Sequence, residues 1–291
     1  MKKNTYLPSK RSSIDSFLVM DVLQQSKLLE KQGKKIFHLE LGEPLNRIPE
    51  KVRNEAKKLI SKQIPGYTPS NGIIELRKKI SAFYKIHKNI DVDPNQIFIT
   101  TGSSGAFILT FLSCFDPGDK IGIFCPVYPA YRNILKSLNL KVVEILNSEN
   151  RLGKIDLKQI IKFNELKGLI VSNPNNPTGQ VFSANELKFL YDYCKKKKII
   201  LISDEIYHGI EYERKTYTML KFGKNSIVVN SFSKFFCMPG WRLGWCVVPF
   251  NLTESFLKLS QNLFISSSNV GQFSAIKAFD CIKELKAIVN N

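Results

Sequence analysis

Apolar and polar positions recur along this chain in two patterns. Short apolar runs bounded by turn residues predict strands, and longer stretches with apolar residues every three or four positions predict helices. The predicted strands are Gln96–Thr100, Lys120–Cys125, Val142–Ile145, Gly168–Ser172, Ile199–Ser203, Ile227–Asn230 and Leu243–Val248. Because helical stretches separate many of them, we expect an α/β fold with a mostly parallel seven-stranded sheet and helices on both faces.

The helical stretches are predicted from the same periodicity. They are Ser16–Lys31, Pro49–Ser61, Ile73–Lys85, Gly105–Phe115, Ala130–Leu138, Ala184–Lys195, Leu252–Leu263 and Gly271–Ile288. Ser16 or Asp15 is expected to cap the first helix, since short polar side chains satisfy the free N–H groups of a first turn. An additional short strand is expected at His38–Leu41.

Polar clusters follow three of the predicted strands. Asn176 lies just past Gly168–Ser172, Asp204 directly follows Ile199–Ser203, and Lys234 and Arg242 come after Ile227–Asn230. In an open α/β sheet the carboxyl ends of the strands face the ligand crevice, so these side chains should meet there. An amine for a Schiff base, an acid for a pyridine nitrogen and cations for a phosphate are what pyridoxal phosphate needs.

Further motifs occur in a fixed order along the chain. They are Gly66-Tyr67-Thr68-Pro69 with Gly72 and Leu76-Arg77, Thr101-Gly102-Ser103-Ser104-Gly105-Ala106, Pro126-Val127-Tyr128-Pro129, Asn173-Pro174-Asn175-Asn176-Pro177-Thr178-Gly179, Asp204-Glu205-Ile206-Tyr207, and Ser231 to Trp245 around Lys234. From about Leu39 to about Phe279 the chain thereby resembles the class I/II aminotransferases, pyridoxal-phosphate enzymes of the aspartate aminotransferase fold. Each motif alone is common, whereas the ordered set is specific.

The resemblance implies catalytic roles for Lys234, Asp204 and Tyr207. Lys234 would form the Schiff base with the cofactor and then move the proton between the substrate Cα and the cofactor, which requires a neutral amine. Asp204 would pair with the pyridinium N–H, and Tyr207 and Asn176 would bind the phenolic oxygen.

The resemblance also implies the remaining cofactor and substrate contacts. The phosphate would be bound by the start of a helix at Ser103 and Ser104, by Ser231 and by Arg242. Tyr128 would stack on the pyridine ring, and Tyr67 would reach the phosphate in a neighbouring subunit, which implies a homodimer. Gly42 and Asn176 would lie near the substrate.

Each assignment has an ordinary structural alternative. Lys234 could be a surface lysine, Asp204 a helix cap or ion-pair member, and Asn176 part of an Asn-Pro turn. A glycine- and serine-rich helix cap without a ligand would explain Ser103 and Ser104. Tyr128 and Tyr67 could be a core or loop residue and an exposed loop residue.

Composition narrows the class of protein. The 291 residues are 43% hydrophobic, which indicates a folded chain, and their apolar runs are too short to cross a bilayer. The net charge of +18 is spread along the chain, with one dense run at Lys195–Lys198, so we expect a solvated basic surface rather than a nucleic-acid partner. No apolar segment follows the charged N-terminus, so a cytoplasmic location without a secretory signal is expected.

The cysteines and histidines argue against a disulfide-stabilised or metal-binding protein. The six cysteines have no C-x-x-C pair and lie mostly among apolar residues, which favours reduced thiols over a disulfide framework. The three histidines lack metal-ligand spacing, and no metal is expected.

The domain organisation is predicted from the resemblance. Residues 1–48 would contribute to a small domain, 49–268 would form the large cofactor-binding domain, and 269–291 would begin the C-terminal small domain. Relatives continue into a segment whose arginine grips the substrate carboxylate, but no arginine follows Arg242 here. The chain is therefore expected to be a fragment or a truncated form. We expect apolar surface on Ser16–Lys31 and Gly271–Ile288 to be exposed, with weak cofactor binding, aggregation and low activity.

Three functional alternatives stay open at this point. The first is transfer of an amino group between an L-amino acid and a 2-oxo acid. The second is a β-lyase or decarboxylase of the same fold, since the chemistry depends on which Cα bond is oriented for cleavage. The third is a catalytically impaired remnant. Aspartate, aromatic amino acids and alanine are all possible substrates.

Overall fold

A seven-stranded sheet forms the centre of the computed structural model, which describes residues 6–44, 48–62, 66–146 and 155–290. Its strands are β1 (Ile97–Thr100), β2 (Lys120–Phe124), β3 (Lys141–Ile145), β4 (Gly168–Ser172), β5 (Ile200–Asp204), β6 (Ser226–Ser231) and β7 (Gly244–Val247). The predicted strands are confirmed, with ends that differ by at most one residue.

The sheet is mostly parallel, as predicted. The spatial order is β1-β7-β6-β5-β4-β2-β3, and only the pairings of β7 with β1 and β6 are antiparallel among the described strands. The carboxyl ends of β4, β5 and β6 lie side by side, with Ser172 opposite Asp204 in the β4–β5 register. The polar segments that follow these strands therefore start at the same edge of the sheet.

Helices cover both faces of the sheet in the described residues. They are α1 (Leu18–Lys31), α2 (Glu50–Ser61), α3 (Ile74–Lys88), α4 (Gly102–Cys114), α5 (Pro129–Ser137), α6 (Ala184–Lys197), α7 (Thr253–Leu263), α8 (Asn269–Phe279) and α9 (Ile282–Asn290). One core lies between the sheet and α4, α5 and α7, and the other involves α2, α3, α6, α8 and α9. Because both faces are covered, the central strands are apolar on both sides, which explains their unbroken apolar runs.

Two local predictions in the N-terminal region are wrong. His38–Leu41 is not a strand: Leu39 is 93% exposed, and no strand pairs with this segment in the described residues. The His38 ring instead contacts Glu30 and Glu40, at 2.7 and 2.6 Å, so side-chain pairing holds the segment to α1. The predicted cap is also wrong: the N-cap of helix α1 is Phe17, whose side chain has no polar atom, and the Ser16 hydroxyl donates to the Asp21 carboxylate.

The helix predicted at Gly271–Ile288 is two helices in the structure. Helix α8 ends at Phe279, and α9 begins at Ile282. Asp280 forms an ion pair with Lys79 of α3 at 2.7 Å, and Cys281 is buried, so the turn between the helices is anchored on both sides. Apolar periodicity continues through this turn, which is why the sequence pattern did not reveal it.

Exposed apolar surface was expected on Ser16–Lys31 and on Gly271–Ile288, and the structure shows it on the first segment only. On α1, Leu18 is 70% exposed and Met20 48%, so that expectation is confirmed. On α8 and α9 it is wrong, because Ala275 and Leu285 are buried and their apolar neighbours pack against the same core as α2 and α3. The predicted division into 1–48, 49–268 and 269–291 stays a prediction.

Candidate active site

A cavity of about 450 Å³ lies at the carboxyl ends of the parallel strands. Its size is typical of sites for small molecules. Seven residues singled out from the sequence line it: Gly42, Ser103, Tyr128, Asn176, Asp204, Tyr207 and Lys234. The topology therefore brings together side chains that are up to 192 positions apart in the chain.

Lys234 follows β6 by three residues and is held in place by apolar neighbours. Phe232, Phe235 and Phe236 are buried in the core, which fixes the backbone around the lysine. The Lys234 Nζ donates a hydrogen bond to the Gly42 carbonyl at 2.5 Å and lies 5.7 Å from the centre of the Tyr207 ring. Burial lowers the pKa of Lys234, with Glu43 acting in the opposite direction, so the amine loses its proton more readily than an exposed lysine does.

Asp204 is the last residue of β5 and is buried at the floor of the cavity. One carboxylate oxygen accepts a hydrogen bond from the Tyr131 hydroxyl, and the other accepts the Ile206 N–H at 3.1 Å. Burial raises the pKa of Asp204 to about 6, although both hydrogen bonds lower it. Within the described residues no cation lies within ion-pair distance of this carboxylate, so a positively charged group in the cavity would compensate its burial.

Asn176 and Tyr207 form a neighbouring pair of polar groups. The Asn176 amide donates to the Tyr207 hydroxyl at 3.1 Å. Burial and the nearby Asp204 raise the pKa of Tyr207, and the bond from Asn176 lowers it. The hydroxyl thus stays protonated at neutral pH and can donate to an acceptor in the cavity.

Tyr128 lies beside Asp204 at the start of α5. Its ring is in edge contact with Tyr131, with centroids 5.5 Å apart, and with Phe17 at 5.6 Å. Burial and the charge of Asp204 raise the pKa of Tyr128. The segment before α1 therefore helps to enclose the cavity through Phe17.

The N-terminus of α4 meets the segment that carries Arg242. An Arg242 guanidinium nitrogen lies 2.7 Å from the position that a Cβ atom on Gly102 would occupy, so a larger residue there would displace the guanidinium. Gly102 also has a φ of +70°, a conformation that glycine adopts without strain. The N-terminus of α4, where no side chain caps the helix, and a guanidinium thus lie together, an arrangement that favours a phosphate.

Four of the proposed cofactor residues do not line the cavity. Arg242 lies beside it, and its Nη1 donates to the Pro239 carbonyl at 3.0 Å. Ser231 is buried, with its hydroxyl within hydrogen-bond distance of the Leu243 carbonyl and Ser233 Oγ. Ser104 is exposed on α4, and Tyr67 is 88% exposed.

Tyr131 and Phe17 are functional candidates that the sequence reasoning missed. Tyr131 is fully buried and donates to Asp204, and its pKa is raised well above the ordinary value by burial and by that carboxylate. Its position three residues after Tyr128 on a helix was an available signal, because residues at that spacing share a face. Phe17 gave no comparable signal, since it precedes α1 and reaches the cavity through the tertiary fold.

Metal clusters, membrane-spanning helices and disulfides were each considered in the described residues. No group of three potential metal ligands is found there, and no helix in those ranges is long and apolar enough to span a membrane. All six cysteines lie in the described ranges and are free thiols. The first five residues, which bear on the absence of a secretory signal, lie outside the described ranges.

The fold and cavity define an α/β protein with a small-molecule site at the carboxyl edge of its sheet. The profile of the family "Aminotransferase class I and II" matches residues 34–289, so the chain belongs to this family. Members of the family depend on pyridoxal phosphate, and the chain is accordingly a pyridoxal-phosphate-dependent aminotransferase.

Individual relatives agree with the family match. A (5-formylfuran-3-yl)methyl phosphate transaminase from Methanocaldococcus jannaschii is 37% identical over 96% of this chain and 73% of its own length. A valine–pyruvate aminotransferase from Mycobacterium tuberculosis is 38% identical over 92% and 70%. The crystal structure of an aminotransferase from Mycobacterium tuberculosis superposes with a TM-score of 0.94 at 36% identity, covering 98% of this chain and 75% of that one. The lyase and decarboxylase alternatives are not favoured by these relatives.

The cavity residues fit the cofactor of this family. The buried carboxylate of Asp204, which has no cationic partner in the described residues, matches a protonated ring nitrogen. The Lys234 amine, whose pKa is lowered, matches an aldehyde, and the Arg242 guanidinium at a helix N-terminus matches a phosphate. The fit rests on the donor set of this structure, independently of the family match.

Proposed function

We propose that this enzyme transfers an amino group between an L-amino acid and a 2-oxo acid, with Lys234 as its central catalytic residue. The observation that supports this proposal is the cavity of about 450 Å³ in which Lys234, Asp204 and Asn176 face one another. When bound, pyridoxal phosphate supplies an electron-withdrawing ring that makes a proton at the substrate Cα easier to remove.

Lys234 would hold the cofactor through its amine and, once released, move the proton at the substrate Cα. Both tasks require a neutral amine, which burial favours. The Gly42 carbonyl accepts from Nζ at 2.5 Å and orients the amine into the cavity. Gly42 and Asn176 also line the cavity, which supports their proposed position beside the substrate.

Asp204 would keep the ring nitrogen protonated. A carboxylate with a pKa of about 6 gains a strong interaction when a cation enters its buried site, and its own pKa then falls. Tyr131 orients the carboxylate through its hydroxyl. Tyr207 and Asn176 would bind the phenolic oxygen, and Tyr128 would pack on the ring.

The phosphate would be bound at the N-terminus of α4. Ser103 lines the cavity, and Arg242 lies against Gly102. Ser104 and Ser231 are proposed as further donors, although in this structure Ser104 is exposed and the Ser231 hydroxyl is engaged with Ser233 and the Leu243 carbonyl. The Ser231 hydroxyl would need to change its partners to reach a phosphate.

A homodimer is proposed from the position of Tyr67. Its side chain is 88% exposed and outside the cavity of its own chain, which is compatible with contact to the cofactor of a second copy. A cytoplasmic role in amino acid biosynthesis is also proposed, supported by six free thiols, which are typical of reducing compartments.

An amino-donor panel tests the proposed reaction. Aspartate, alanine, valine and aromatic amino acids would each be incubated with a 2-oxo acid, and product amino acid and ammonia measured. We expect acceptor-dependent product without ammonia. Release of ammonia and pyruvate without an acceptor would instead indicate a lyase.

Two lysine variants test the catalytic assignment. Lys234→Ala should lower turnover by at least about a thousandfold, since it removes the proposed general base. Lys196→Ala, at an exposed position of α6, is the matched control and should retain activity. Retained turnover in Lys234→Ala would contradict the assignment.

A further inference from the structure

A second cavity, of about 590 Å³, lies away from the candidate active site. It is bounded by the end of α3 and its following turn, the segment 215–218 and the short helix Met219–Lys221. Lys88, Lys215, Lys221 and Lys224 line it, and we call it the lysine cavity. None of its lining residues belongs to the candidate active site.

The four lysines form no close ion pair in the described residues. In the described residues no carboxylate lies within ion-pair distance of any of them. Asp91 is the acidic residue among the described lining residues, and its carboxylate already binds Lys85 at 2.8 Å. The lining of the lysine cavity therefore holds four lysines against one carboxylate, an excess of positive charge that raises the local concentration of anions.

Lys88 is the most deeply placed of these cations. Its Nζ donates to the Thr216 hydroxyl at 3.4 Å, and that hydroxyl itself donates to Glu211 at 2.5 Å. Burial lowers the pKa of Lys88, and Lys215 and Lys286 lower it further, while Glu211 and Glu205 act in the opposite direction. A partly buried ammonium with one long hydrogen bond has donors to spare for an anion.

An aromatic ring forms part of the wall between two of the lysines. The Nζ of Lys221 lies 4.3 Å from the centre of the Tyr217 ring, and the Nζ of Lys215 lies 5.9 Å from it. Tyr217 thus attracts two ammonium groups that line the cavity through the negative face of its ring.

We propose that the lysine cavity binds a small phosphorylated anion that carries two or more negative charges. The described lining residues supply lysines and no arginine, and lysine binds phosphate as a point charge, whereas planar carboxylates are gripped best by the arginine fork. The volume of the cavity is within the range of small-molecule sites. The ligand would pair with Lys88, Lys221 and Lys224.

Calorimetric titration with inorganic pyrophosphate tests this site. The enzyme is first saturated with pyridoxal phosphate, so that the phosphate-binding part of the active site is filled. Relative to wild type, Lys221→Gln/Lys224→Gln should weaken pyrophosphate binding by about tenfold or more, because two charged contacts are lost. Lys196→Gln/Lys197→Gln, two exposed lysines of α6, removes the same charge and should change the affinity by less than about threefold.

Two results would overturn the proposal. One is an equal loss of affinity in both double variants, which would mean that pyrophosphate responds to net charge alone. The other is loss of binding in Arg242→Gln with normal binding in Lys221→Gln/Lys224→Gln, which would place the anion at the active site. The substituted lysines are exposed, and circular dichroism with thermal melting verifies that each variant is folded.

Discussion

Asp204 and Glu205 are consecutive buried carboxylates with opposite surroundings. Asp204 faces the candidate active-site cavity and accepts one side-chain hydrogen bond, from Tyr131. Glu205 faces the protein interior, where one of its oxygens accepts from Ser203 at 3.1 Å, from Thr218 at 3.0 Å and from the Met219 N–H at 2.8 Å.

This difference is the one expected between a structural acid, Glu205, and the proposed catalytic acid, Asp204. One Glu205 oxygen is bound by three protein donors and ties the end of β5 to the segment that contains Thr218, while the other lies 3.4 Å from the His208 ring nitrogen. Asp204 is left to be compensated by something that enters the cavity. Burial raises the pKa of both groups, to about 6 for Asp204 and about 7 for Glu205, so a shifted pKa alone does not distinguish them. The direction of the side chain and the identity of its partners do.

Alanine substitutions of Asp204 and Glu205 should differ most in their effects on turnover and stability. Asp204→Ala should lower turnover by at least about a hundredfold, because the ring nitrogen loses its acid. At pH 4, where Asp204 is protonated in the folded state, it should change the free energy of unfolding by less than ~1 kcal/mol. Glu205→Ala should lower the free energy of unfolding by about 3 kcal/mol, since it leaves three donors without their acceptor. Turnover and urea denaturation are measured for both variants. Similar stability losses in the two would remove the distinction.

The pH dependence of stability sharpens the same comparison. Each carboxyl keeps its proton to a higher pH in the folded state than in the unfolded state, so the free energy of unfolding falls as pH rises. The window runs from 3.8 to about 6 for Asp204 and from 4.5 to about 7 for Glu205. Each loss should be about 3 kcal/mol.

Urea denaturation across this pH range separates the two contributions. In Asp204→Ala, the free energy of unfolding should fall less with rising pH in the lower part of the range. In Glu205→Ala, it should fall less in the upper part. Saturation with pyridoxal phosphate should reduce only the pH-dependent loss of stability that comes from Asp204. The positively charged ring of the cofactor would lower the pKa of that group alone. A cofactor effect on the Glu205 contribution would contradict the assignment.

Tyr131→Phe should have the smallest effect. The hydroxyl of Tyr131 lowers the pKa of Asp204, so its removal should shift the acidic limb of the kcat/KM profile to higher pH. The rate at neutral pH should fall by about tenfold or less, the value of one hydrogen bond to a charged group. Tyr84→Phe is the matched control, since Tyr84 is also buried but contacts Trp245. An identical pH profile in wild type and Tyr131→Phe would show that Tyr131 does not act through Asp204.

Much of the fold could be predicted because central strands read as short apolar runs. Gly168–Ser172 was predicted with the observed ends, since both faces of β4 are covered. His38–Leu41 failed because its partners, Glu30 and Glu40, are side chains rather than a strand. The break at Asp280 was hidden because an ion pair with Lys79, distant in sequence, fixes it.

Site residues could be predicted where they lie at or just after the carboxyl end of a predicted strand. Asn176, Asp204 and Lys234 were found this way, and all three line the same cavity. Tyr131 and Phe17 were missed because their functions arise from contacts between elements, with Asp204 and Tyr128 respectively. Tyr131 had a signal in its helical spacing from Tyr128, whereas the contact of Phe17 leaves no fixed spacing in the sequence.

The most direct test of this account is the identity of the lysine that binds the cofactor. The enzyme would be loaded with pyridoxal phosphate, reduced with borohydride, digested and mapped by mass spectrometry. The account predicts a single modified peptide with the adduct on Lys234, whose Nζ lines the cavity and whose pKa is lowered by burial. An adduct on another lysine with Lys234 unmodified would contradict it.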